Sequence, residues 1–218
     1  SEVFLWSLAS PYPRVLQAHT QRLMGLAFTA DSRFLASCGF DGARLWPLSP
    51  KDGHQRLISL AENYMCFSIA GDATSQSLLV AGPGLGAFLI QPEIPTPLKL
   101  EGIPPTDNQA AVLDTRAGLA VVGDYWRVRE PGALHVVELG SGATRSFPLR
   151  DRESRDPSEG GVLSLGLTAD GSLMSGGVGG VYRWDLTTGA RIKVCGEAGG
   201  WSQISMNSSG SSMIAGCW

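Results

Sequence analysis

Apolar residues in this chain come in short runs, broken at regular intervals by clusters of polar and turn-forming residues. Between His19 and Leu48 the runs are Met24 to Phe28, Phe34 to Ser37 and Ala43 to Trp46, separated by the turn clusters Thr29-Ala30-Asp31-Ser32 and Phe40-Asp41-Gly42. Runs of this length bounded by such residues predict three short strands joined by hairpins. No stretch sustains the apolar spacing of a helix. Sliding the unit along the chain finds further copies. Leu173 to Leu186 aligns without a gap, with Ser175, Gly179 and Trp184 in the places of Ser37, Asp41 and Trp46. Leu79 to Pro92 also aligns without a gap, with Ala81 in place of the serine and Ile90 in place of the tryptophan. Leu119 to Asp124 and Ala133 to Leu139 form another copy, interrupted by an insertion of about seven residues. A fifth copy is in two pieces: Ser212 to Trp218 matches the first half and Ser1 to Leu8 the second, with Trp6 at the indole position.

The first unit also spaces four polar groups that can bond in series: His19, Ser37, Asp41 and Trp46. In this it resembles a WD-repeat, a family whose pattern has a His before the innermost strand, a hydroxyl on the second, an Asp in the next turn and a Trp ending the third. The resemblance implies a β-propeller of four-stranded blades in which this tetrad is structural. It also implies that His19 is not catalytic.

Repeats of this kind cannot bury their faces alone, so one predicts several. The fold class expected is therefore all-β: a propeller of about five four-stranded blades, the last shared between the N- and C-terminal strands, with a segment of a seven- or eight-bladed propeller as the alternative. The innermost strands are expected at Met24 to Phe28, Tyr64 to Ile69, Gln109 to Asp114, Gly161 to Leu167 and Trp201 to Met206. The outermost are expected at Arg14 to Gln17, Arg56 to Leu60, Pro97 to Leu100, Ala143 to Leu149 and Ala190 to Cys195.

Composition narrows this further. A chain of 218 residues suits a single domain, 1–218, and its 28 Gly and 13 Pro suit many turns. A net charge of −3 offers no basic face for a phosphate backbone, which disfavours nucleic acid. The apolar run Val3 to Ala9 has no basic flank ahead of it, and no run is long enough for a membrane span. Cys38, Cys66, Cys195 and Cys217 are scattered without a paired motif, which favours a reducing, cytoplasmic setting. Arg outnumbers Lys by 14 to 3, the bias of a GC-rich bacterial genome.

Candidate chemistry is sparse. His19, His54 and His135 stand at no metal-ligand spacing, so no metal or cofactor is expected. The glycine strings Gly82 to Gly86 and Gly176 to Gly180 lie between strands, where no helix N-terminus can receive a phosphate, and read as hairpin turns. No nucleophile elbow is present, and no Ser, His and acid grouping stands out beyond the tetrad. The innermost strands hold a single acid, Asp114, and one carboxylate cannot do paired acid–base work. The expectation is a non-catalytic scaffold or sensing module, part of a larger multidomain chain, that binds a protein or peptide. The alternative is a propeller enzyme or small-ligand binder using the central channel. Two extended links, Tyr125 to Pro131 and Asp151 to Glu159, belong on one rim, and Tyr125, Trp126, Arg127, Arg129, Arg152 and Arg155 are the expected contact residues, because large aromatics and Arg carry most interface energy.

Overall fold

The computed structural model describes residues 2–7, 12–49, 51, 53–54, 56–58, 60, 65–125, 132–149, 161–197, 200–207 and 209–217. They form four antiparallel four-stranded meanders and two strand pairs. A two-stranded sheet pairs β1 (Glu2–Leu5) with β2 (Arg14–Gln17). Sheet I is β3 (Leu23–Phe28), β4 (Phe34–Gly39), β5 (Gly42–Pro47) and β6 (Arg56–Ile58). Sheet II is β7 (Ser68–Gly71), β8 (Leu78–Gly82), β9 (Gly86–Ile90) and β10 (Leu98–Lys99). Sheet III is β11 (Asn108–Asp114), β12 (Leu119–Asp124), β13 (Ala133–Glu138) and β14 (Thr144–Pro148). Sheet IV is β15 (Val162–Leu167), β16 (Leu173–Gly177), β17 (Gly180–Trp184) and β18 (Arg191–Cys195), and a second pair joins β19 (Ser202–Met206) to β20 (Met213–Cys217).

Local chemistry explains why the hairpins recur. In sheet I the Thr29 hydroxyl donates to Asp31 Oδ1 at 2.7 Å, and Asp31 Oδ1 also accepts the Arg33 N–H at 3.1 Å. Sheet IV repeats the device with Thr168 and Asp170, the latter accepting the Ser172 N–H at 3.1 Å. Such side-chain-to-backbone bonds stabilise a turn against continued extension. The first strands carry a second recurring feature. Their ladders with the second strands shift register between Leu23 and Gly25, between Asn108 and Ala110, and between Val162 and Ser164. A bulge there bends the strand as it enters the sheet.

Three glycines close the second strands for a steric reason. A Cβ on Gly39, Gly82 or Gly177 would overlap the backbone carbonyl oxygen of Arg22, Met65 or Gly161 respectively, each at the entry to the first strand of its sheet. In sheet III the corresponding position is Asp124, which pairs with Asn108 as Gly39 pairs with Leu23 and Gly177 with Val162.

The structure corrects two sequence readings. Sheet II turns through Pro83, Gly84 and Leu85, one residue longer than the turns of sheets I and IV, because Gly82 pairs with Gly86. With Leu78 opposite Ile90 as Leu35 is opposite Trp46, Val80 and not Ala81 occupies the place of Ser37. The innermost strand of sheet II also starts at Ser68, not at Tyr64, which lies outside the described residues. The Cys66 N–H donates to Gly39 O of sheet I at 3.0 Å, so the preceding segment is tied to its neighbour before the ladder begins.

The sheets stack in chain order through their first strands, β3 with β7, β7 with β11, β11 with β15 and β15 with β19. Each junction buries apolar side chains from both sides: Ala36, Leu45, Leu78 and Val80 between sheets I and II, Leu79, Ala87, Leu113 and Val122 between II and III, and Val121, Leu134, Leu173 and Trp184 between III and IV. β1–β2 covers sheet I through Val3, Leu16, Leu35 and Trp46, while β19–β20 covers sheet IV through Ile204, Met174 and Val181. Four-stranded antiparallel sheets packed face to face in series fit the blades of a β-propeller. The two strand pairs stand as separate sheets. Facing outward at the two ends are Leu26 and Phe28, 53% and 50% exposed, and Ile214, 79% exposed.

Candidate functional site

The four polar residues of the first unit meet. His19 Nδ1 lies 2.6 Å from Asp41 Oδ1, His19 Nε2 lies 2.7 Å from Ser37 Oγ, and the Trp46 indole N–H donates to Ser37 Oγ at 2.8 Å. Asp41 also accepts the Thr20 N–H at 2.7 Å. Burial raises the Asp41 carboxyl, but the His19 and Thr20 bonds outweigh it and hold the group down at about 2. A carboxylate can only accept, so His19 carries its proton on Nδ1, and Ser37 donates to Nε2 while accepting from Trp46. Ser37 is fully buried, its hydroxyl donating to His19 and accepting from Trp46 inside the sheet. The bonds run in series from the turn after β4 through His19 to the second and third strands of sheet I. Sheet IV keeps half of it, Trp184 Nε1–H to Ser175 Oγ at 2.8 Å.

Sheet III holds a relay that sequence reasoning missed, correcting the reading that no Ser, His and acid grouping exists beyond the tetrad. Asp124 Oδ2 lies 3.2 Å from His135 Nε2, and His135 Nδ1 lies 2.8 Å from Ser146 Oγ. The Thr106 hydroxyl donates to Asp124 Oδ1 at 2.6 Å and the Ala133 N–H to Asp124 Oδ2 at 3.2 Å. Asp124 and His135 are buried; Ser146, on the outermost strand, is exposed. The members stand eleven residues apart on three successive strands, a spacing that aligns side chains across a meander but matches no linear motif.

The expected contact residues fare unevenly. Trp126, Arg127, Arg129, Arg152 and Arg155 lie outside the described residues. Tyr125 is partly buried: its N–H donates to Asp107 O at 2.7 Å, and its ring sits 6.0 Å from that of Trp201 at 42°. Burial and the Asp107 charge push its phenol up. A second aromatic pair, Phe40 and Phe67, stacks at 5.3 Å and 11°. Phe40 and Tyr125 each follow a second strand, and Phe67 and Trp201 each precede a first strand, so both pairs stand at the same end of the sheets. Asp114 Oδ1 accepts the Ala117 N–H at 2.9 Å and thereby closes its own turn. His54 is exposed, and among the described residues no group of three His, Cys, Asp or Glu side chains gathers to hold a metal. No family model matches the chain, and no curated protein matches it.

Proposed function

We propose that the chain is a run of WD-repeat-type propeller blades whose loop-bearing end docks a protein or peptide. The observation that carries this reading is the pairing of aromatics at that end, Phe40 with Phe67 and Tyr125 with Trp201, the second pair standing where the link from Tyr125 to Pro131 begins. Aromatic rings at a rigid rim offer large contact area at small entropic cost, and Arg127, Arg129, Arg152 and Arg155 add planar donors in the neighbouring links. The propeller has about five blades, the last made from β19–β20 and β1–β2. Their positions support this: β19–β20 packs on sheet IV as first and second strands do, and β1–β2 packs on sheet I through Leu35 and Trp46.

A photo-crosslinking residue placed at Tyr125, compared with the same residue at Ser32 on the opposite end, tests the docking reading. The expected result is one saturable adduct from position 125, lost when Trp126→Ala and Arg129→Ala are introduced together. Equal adducts from both ends, or an adduct indifferent to the double substitution, overturns it.

A further inference from the structure

The two Asp–His–Ser relays share their chemistry but end differently. In sheet I the serine is fully buried and its oxygen receives the Trp46 indole N–H, so no substrate can reach the hydroxyl. In sheet III the terminal hydroxyl, Ser146 Oγ, lies on an exposed residue of the sheet's outer edge. We propose that Ser146 is an activated nucleophile toward carboxylic esters, with His135 as its general base and Asp124 as the positioning residue. The inference is independent of the docking reading and adds a reaction to it.

Three observations carry the assignment. The first is the tautomer. Asp124 accepts from Thr106, Ala133 and His135, and an acceptor-only carboxylate leaves the His135 proton on Nε2. Nδ1 is then a lone pair 2.8 Å from Ser146 Oγ, oriented to take the hydroxyl proton. The second is backbone geometry. Leu149 N–H donates to Gly132 O and Glu138 N–H to Ala143 O, each at 2.9 Å, which marks the hydrogen-bonded rungs between β13 and β14. The alternation makes His135 and Ser146 a non-hydrogen-bonded pair. Their side chains therefore approach closely, and the Ser146 N–H points away from β13 toward the free edge, beside its own Oγ. That N–H is a donor for the oxyanion of an attacked carbonyl. The third is Asp124 itself, which stands where sheets I, II and IV place a glycine that admits no side chain. Sheet III has opened that position, and the carboxylate it admits serves His135 alone among the histidines.

The chemistry balances with water as the only co-reactant. Ser146 Oγ bonds to the ester carbonyl carbon while its proton passes to His135 Nδ1, and the imidazolium is held by Asp124. The acyl C–O bond breaks, and the departing alkoxide takes the proton from Nδ1. Water then attacks the acyl-serine with His135 again accepting a proton, which is returned to Ser146 Oγ as the carboxylic acid leaves.

The test uses the full chain with p-nitrophenyl acetate, acid-quenched early and mapped by mass spectrometry. Acetyl is expected on Ser146 about a hundredfold faster than on Ser209 or Ser141, exposed hydroxyls of the same molecule. This comparison needs no variant and so does not depend on any variant folding. Ser146→Ala is expected to remove the fast nitrophenolate release, and His135→Gln to bring acetylation of Ser146 down to the rate of Ser209. Acetylation of Ser146 no faster than of Ser209, or fast acetylation that survives His135→Gln, overturns the proposal.

Discussion

Asp72 joins two sheets through one side chain. Lying just past β7, it accepts the Thr115 N–H at 2.9 Å and the Thr115 hydroxyl at 2.7 Å from the turn after β11, and it also accepts from Thr74 and Ser75 in its own turn. Burial raises its carboxyl, yet these donors prevail and bring it to about 2. In the unfolded chain an Asp titrates near about 4. The folded value is the lower one, so the stabilisation is complete above about pH 4 and is lost as pH falls toward about 2. Asp72→Asn is expected to melt lower than the parent at about pH 6 and to show a smaller further drop between about pH 4 and about pH 2, measured by thermal scans followed by circular dichroism. An unchanged slope in that window would remove Asp72 from the link between the sheets. At this scale the sequence was informative where residues sit close together in a repeat, as His19, Ser37, Asp41 and Trp46 do. It was silent on Asp72 and Thr115, because a bond between residues 43 apart depends on how sheets stack.

Strand ends, more than strand centres, set the element scale. Alternating apolar runs made most second and third strands legible, and the tight turns between them follow from Gly42 and Gly180, whose φ values of 96° and 129° few other residues adopt. What the pattern missed was length: the three-residue turn of sheet II leaves no mark in hydrophobicity, so the alignment slipped by one and assigned Ala81 to the place of Val80. The glycines that end the second strands yield a sharper expectation. Gly82→Ala is expected to cost about 3 kcal/mol, because its Cβ meets the Met65 carbonyl oxygen and backbone must move. Gly140→Ala, where nothing lies within 4 Å of a Cβ, is expected to be close to neutral. Denaturant titrations of the pair decide it; equal costs would mean that the close approach at Gly82 relaxes freely.

At the scale of the whole molecule, stability is a property of neighbours. Each sheet buries its faces against the one before and the one after, and among the described residues no cluster spans three sheets. The sequence made the repeat visible because strand register survives the loss of the tetrad. Whether the chain ends share a blade rests on the sequence alone, where Trp218 followed by Ser1 restores the repeat, residues outside those described. Amide hydrogen exchange tests the proposed shared blade directly. If the last blade is shared, amides of Val3 and Ile204 exchange about as slowly as that of Val121 in sheet III; a steep fall in protection from sheet III toward both strand pairs would rule out the shared blade. Stacking in series has one more consequence, for how such a molecule changes over time. Because each junction is made by two neighbouring sheets, a change confined to the loops of one sheet leaves every junction in place. A lengthened link such as the one after Tyr125 can then diversify without asking any other sheet to change.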